Sequence, residues 1–83
     1  METSAILYTR SDCGLCDEMK TILGRVGTRI PFHLEEIDIS SDVKLERRYG
    51  LEIPVLYING AKAFQYRTTE EELRKFFEKL VHR

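Results

Sequence analysis

Cys13 and Cys16 are the only cysteines in the chain, and they stand two residues apart in the stretch YTRSDCGLCDEM. That spacing suits a buried structural pair, half of a metal site, or a dithiol that cycles with a disulfide. The surroundings favour the last use. The residues before Cys13 have the pattern of a strand and those after it the pattern of a helix, so the pair sits at a helix start. A helix amino terminus presents unpaired N–H groups and a partial positive charge, which favour a thiolate over a thiol. Cys13 is expected to stay accessible there, with Cys16 one turn further in, facing it and shielded. Gly14 and Leu15 add little bulk against an approaching disulfide. The expected reaction is attack by the Cys13 thiolate on a substrate disulfide, followed by displacement of the mixed disulfide by Cys16. Arg10 favours the thiolate, whereas Asp12, Asp17 and Glu18 oppose it.

A second constellation is EIPVL. Proline is tolerated at the start of a strand, where it need not donate to the ladder. If that strand runs antiparallel to the first, Pro54 comes beside the end of the first strand, next to Cys13. An X-Pro bond adopts the cis form at modest cost, and a cis Ile53-Pro54 bond would turn the Ile53 backbone towards an incoming extended peptide. Tyr8, on the strand leading into the motif, is the tyrosine with the best claim to the same groove. His33 and His82 fit no zinc-finger spacing with the cysteines, so no metal ligands are assigned. The alternative use of the sulfurs is an iron–sulfur cluster or metal held for transfer, with one cysteine from each of two chains.

The elements that must position these residues are legible in outline. SAILYT is a short apolar run suited to a strand covered on both faces. Leu15, Met19, Ile22, Leu23 and Val26 then recur at helical spacing, with Gly27 as the stop. FHLEEIDI reads as a second strand whose alternation slips: Phe32 and Leu34 share one phase, Ile37 and Ile39 the other. SSDVKLERRYG has serines as helix caps, Leu45 and Tyr49 one turn apart, and Gly50 at the end. In IPVLYINGAKAFQY two strand-like runs flank Asn59-Gly60, a pair suited to a tight hairpin. Thr69 and Glu72 form a capping box for a last helix with the stripe Leu73, Phe76, Phe77 and Leu80. Its acidic first turn, with Lys79 and Arg83 near its end, suits the helix dipole. The order is β-α-β-α-β-β-α, with a parallel first crossover and helices on both sheet faces.

With 83 residues, 13 basic and 14 acidic, the net charge is -1, which draws the chain to neither nucleic acid nor anionic lipid. KLERR reads as a solvated helix face. No apolar run approaches the roughly 20 residues of a membrane span, and METSAILYT lacks the pattern of a signal peptide. The expectation is one domain over residues 1–83, cytoplasmic and monomeric.

YTRSDCGLC, EEIDISSD and RYGLEIPVLYING, in this order and spacing, resemble the thioredoxin/glutaredoxin superfamily, and the compact size is closer to a glutaredoxin. The resemblance covers nearly the whole chain. It implies a thioredoxin-like α/β fold of glutaredoxin type, with a four-stranded mixed sheet and helices on both faces. It implies Cys13 as nucleophile, Cys16 as resolving cysteine and Pro54 as the cis-proline, with Arg10 where glutaredoxins carry a basic residue that pairs with a carboxylate; the residues themselves add Gly14, Leu15, Ile53 and Tyr8 around the substrate. No bound cofactor is implied. The electron donor would be glutathione or a thioredoxin-type reductase, and the substrate a protein or small-molecule disulfide. Three departures stand out: Gly14-Leu15 replaces the usual Pro-Tyr, QYRTTEEE lacks the glycine pair of the glutathione site, and Leu7 matches the buried acid of thioredoxins.

Overall fold

The computed structural model describes residues 3–81. Their elements are β1 (Ser4–Thr9), α1 (Gly14–Gly27), β2 (His33–Asp38), α2 (Val43–Tyr49), β3 (Val55–Ile58), β4 (Ala61–Gln65) and α3 (Glu70–Val81), with a 3-10 turn at Ile39–Ser41 between β2 and α2. The sheet order is β2-β1-β3-β4. β1 runs parallel to β2 and antiparallel to β3, which is antiparallel to β4. The expected mixed sheet with three helices is therefore present. His82 and Arg83, named above, lie outside the described residues. None of the described helices is long and apolar enough to cross a membrane.

Strand alternation divides the core in two. Ala5 and Leu7 of β1, with Leu56 and Ile58 of β3, pack against Met19, Leu23 and Val26 of α1 and Leu73 and Phe77 of α3. On the other face Val55, Tyr8 and Tyr57 meet Ile39 and the α2 residues Leu45 and Tyr49. Burying each such large apolar side chain contributes roughly 1.5–3 kcal/mol, so β1, covered on both faces, anchors both layers. The slipped phase of β2 has its cause here. Phe32, just before the strand, joins the first core and stacks on Phe77 with centroids 4.8 Å apart. Ile39, just after it, is fully buried in the second. This edge strand starts in one layer and ends in the other, and its outward residues between are mostly exposed.

The turn residues act as their chemistry requires. Asn59 (φ 51°) and Gly60 (φ 85°) both take positive φ in the two-residue β3–β4 turn. The Asn59 side-chain oxygen also accepts the Ser4 backbone N–H at 3.0 Å, which ties the hairpin to β1. Thr69 caps α3 by accepting the Glu72 N–H at 3.0 Å. One cap differs from expectation. Asp42, not a serine, caps α2 by accepting from the N–H groups of Lys44 (2.8 Å) and Leu45 (3.3 Å). Ser40 and Ser41 instead form the 3-10 turn, where Asp38 accepts from the Ser40 hydroxyl at 2.6 Å and its N–H at 2.9 Å. These bonds hold the Asp38 carboxyl below its ordinary value, with smaller help from Ser11 and Arg10.

Candidate active site

β1 ends at Thr9, and three residues later the chain turns into α1 through Asp12 at φ 58°. Cys13 is the N-cap, with extended backbone angles. Its carbonyl accepts the Asp17 N–H at 3.1 Å, and its Sγ accepts the Cys16 N–H at 3.1 Å. The sulfur thus takes the place of the side-chain oxygen of a conventional cap. A sulfur held this way meets both a donor and the positive end of the helix dipole, which suits a thiolate.

Cys13 and Cys16 are joined by a disulfide, with their Cα atoms 5.2 Å apart. Cys13 is half-buried, whereas Cys16 is 0% exposed on the side of α1 that meets the sheet. The accessible-and-shielded arrangement expected of the pair is therefore present. Gly14 is exposed, and a Cβ built on it would meet nothing within 4 Å. The approach over the motif is consequently open.

The Ile53-Pro54 bond is cis. Val55 pairs with Tyr8, so Pro54, one residue earlier, lies at the end of β1 where the chain departs for Cys13. Pro54 is buried, and its carbonyl accepts the Tyr66 N–H at 2.9 Å.

Two of the sequence-derived site residues stand differently from expectation. Tyr8 points into the α2 layer, away from α1, because it alternates with Leu7 and Thr9. There it stacks on Tyr49 at 4.2 Å. Tyr49 in turn donates to the Tyr57 hydroxyl at 3.2 Å and accepts from Arg48 Nε at 3.0 Å. This packing leaves Tyr8 partly buried on the α2 side of the sheet. Arg10 is not left facing the sulfurs with an unengaged charge. Its guanidinium is paired with the Glu46 carboxylate on α2, so a substrate carboxylate would compete for it. His33 pairs with Ser4 at the start of β1, the opposite end of the sheet from the cysteines.

The structure also brings residues of the QYRTTEEE stretch beside α1. Tyr66, Arg67 and Thr68, between β4 and α3, line a small cavity of about 50 Å³ with Leu15, Met19 and Ile22. Tyr66 takes φ 66° and donates its hydroxyl to the Leu51 carbonyl at 3.0 Å, bridging the segment before Pro54 to the segment before α3. Leu51 is 93% exposed and Tyr66 44%, so the rim around Pro54 carries apolar surface. The signal for these residues was the hairpin itself. Its short turn returns the end of β4 to the level of Pro54, so whatever follows Gln65 must lie at the active end.

Among the described residues, no group of three or more His, Cys, Asp or Glu side chains gathers as for a metal ion.

A family model described as a glutaredoxin-like domain (DUF836) matches residues 4–78. Among solved structures, the target protein XcR50 from X. campestris is 28% identical, with 90% of this chain and 96% of that one aligned at a TM-score of 0.78. Protein Ne2328 from Nitrosomonas europaea is 26% identical over 92% of each chain, with a TM-score of 0.77. Desulfothioredoxin from Desulfovibrio vulgaris Hildenborough, in its reduced form, is 21% identical over 95% of this chain and 82% of that one, at a TM-score of 0.71. That last likeness is one of fold alone.

Proposed function

The chain belongs to the glutaredoxin-like domain family, and from that premise we propose that it is a thiol–disulfide oxidoreductase. The observation that carries the reading is the asymmetry of the pair: Cys13 half-buried as the cap of α1, Cys16 fully buried one turn in, the two within bonding reach.

In the proposed cycle the Cys13 thiolate attacks one sulfur of a substrate disulfide. The substrate S–S bond breaks, one substrate sulfur leaves as a thiolate and takes up a proton, and the other remains bonded to Cys13. Cys16 then loses its proton and attacks Cys13 Sγ, and the second substrate sulfur leaves. The dithiol has given up two electrons as the Cys13–Cys16 bond forms. Two equivalents of a small thiol such as glutathione, or a thioredoxin-type reductase, restore it.

An extended segment of a protein or small-molecule disulfide would lie across Gly14 and Leu15, with Ile53 and Pro54 along its other side. The apolar rim of Leu51 and Tyr66 supports an extended, partly apolar substrate. Arg10 would meet a substrate carboxylate only by exchanging it for Glu46.

The test is a disulfide-reduction assay with the reduced protein, coupled in one arm to glutathione and its reductase and in the other to thioredoxin reductase. Cys13→Ser is expected to abolish turnover in both arms, and Cys16→Ser to keep only exchange with glutathione mixed disulfides. Undiminished reduction by the Cys13→Ser protein would overturn the assignment.

A further inference from the structure

Thr9 is the last residue of β1 and 5% exposed, yet its hydroxyl has no hydrogen-bond partner, the only buried side-chain oxygen or nitrogen of the described residues in that condition. Buried polar groups are nearly always paired, and an orphan is costly. Such a group invites a reason.

Its position supplies one. Alternation places Thr9 on the same face as Ala5 and Leu7, the face packed against Met19 and Leu23 of α1. β1 runs towards the cysteine motif and α1 runs back from it, so the end of β1 lies under the first turn of α1. Cys16 stands in that turn, three residues before Met19 on the same helix side, and is 0% exposed. By strand register and helix side the nearest positions on that face are Leu7, Leu56, Pro54 and Met19, and none carries a side-chain oxygen or nitrogen. Asp38, level with Thr9 on β2, spends its carboxylate on Ser40. Thr9 and Cys16 are thus both buried at the end of this face where β1 hands over to α1.

In the disulfide, Cys16 Sγ has no proton to donate and is a weak acceptor. Reduction changes both properties: a thiol can donate, and a thiolate accepts a charge-assisted bond. We propose that Thr9 is a positioning residue whose hydroxyl bonds Cys16 Sγ only in the reduced protein, so that it favours the dithiol over the disulfide and holds the resolving sulfur ready. This inference rests on the redox reading given above. The equilibrium it biases is the reaction of the disulfide with two glutathione thiols. The protein S–S bond breaks, glutathione disulfide forms, and two protons pass to Cys13 and Cys16. Thr9 itself exchanges no proton in the net reaction.

The test is a titration of the full chain in mixtures of glutathione and glutathione disulfide, with the oxidised fraction read by alkylation and mass. Thr9→Val keeps the shape and β-branching that suit a strand and removes the hydroxyl; Thr9→Ser keeps the hydroxyl. Thr9→Val is expected to lower the equilibrium constant for reduction roughly tenfold, equal to a potential about 30 mV more negative. Thr9→Ser is expected to stay within about twofold of the wild type. Unfolding of both redox forms gives a second reading: Thr9→Val should shift the stability difference towards the oxidised protein by the same factor. A shift under about twofold in Thr9→Val, or equal shifts in both variants, overturns the role of Thr9 while the wild-type pair still titrates. A wild-type pair that interconverts with neither glutathione nor dithiothreitol at any ratio overturns the redox reading, and this inference with it.

Discussion

A redox pair that opens in each turn of the proposed cycle cannot also be what holds the protein together, and the structure allows that requirement to be given a size. Cys13 and Cys16 are three apart in sequence, so the disulfide closes only the stretch 13–16. In the chain-entropy description a loop of about four residues stabilises by about 2 kcal/mol at 25 °C. A folded chain of this length is stabilised by about 4–12 kcal/mol. The fully buried residues that supply most of it, among them Leu7, Leu56, Leu73 and Phe77, do not depend on the sulfur bridge. Reduction also brings a gain. A charged Cys13 sulfur accepting the Cys16 N–H makes a stronger bond than the neutral one, with such bonds contributing about 1.5–3 kcal/mol. The expected outcome is a reduced protein that stays cooperatively folded and lies within about 2 kcal/mol of the oxidised form. Urea unfolding followed by far-ultraviolet circular dichroism measures this directly. At a slope of about 1 kcal/mol/M the two midpoints should differ by no more than about 2 M. A reduced chain unfolded without denaturant, or a gap above about 4 kcal/mol, would mean that the bridge is a structural clamp. The pair would then not be one that cycles.

Three further outcomes are expected. Glu46→Gln frees Arg10 from its part-exposed ion pair; stability should change by less than about 1 kcal/mol, while exchange with an anionic disulfide such as glutathione disulfide should speed up about two- to fivefold at low salt and lose that gain at high salt. An unchanged rate would remove Arg10 from the substrate path. Phe77→Ala empties the centre of the α1–α3 layer and breaks the stack on Phe32; a loss of about 3–5 kcal/mol is expected in urea unfolding, and a loss below about 1 kcal/mol would contradict the core described here. Because the Asp38 carboxyl is held below its ordinary value of 3.8 by Ser40, its contribution is present above that value and lost as pH falls through the lower, folded-state value. The difference in melting temperature between wild type and Asp38→Asn should therefore narrow from pH 7 to strongly acid solution, and a constant difference would count against it.

Features whose cause is local were legible in the chain itself. The cysteine pair at a strand-to-helix junction, the Asn59-Gly60 turn and the Thr69 cap depend on residues within one or two turns of one another. Helix geometry, positive φ and capping bonds act over that range, so the residue types suffice. The cysteine chemistry follows from the same local rule, since a helix start presents its N–H groups whatever packs elsewhere.

What the tertiary structure decided depends on partners distant in sequence or on which face a side chain takes. Arg10 meets Glu46 across 36 residues, a pairing no nearby pattern announces among the many charged residues. Closeness to the motif points to the groove for Tyr8, but one step of strand alternation sends it into the α2 layer. The same alternation buries the Thr9 hydroxyl on the side of Cys16. The slip in β2 was visible, but its meaning was not until two cores lay on opposite faces of the sheet. Tyr66 reaches the site only because the hairpin carries β4 back to Pro54. Short-range backbone chemistry thus determined where the sulfurs sit and what they can do. Only the folding of the sheet between two helical layers decided which groups surround them, because side-chain surroundings are set by strand pairing and packing rather than by position along the chain.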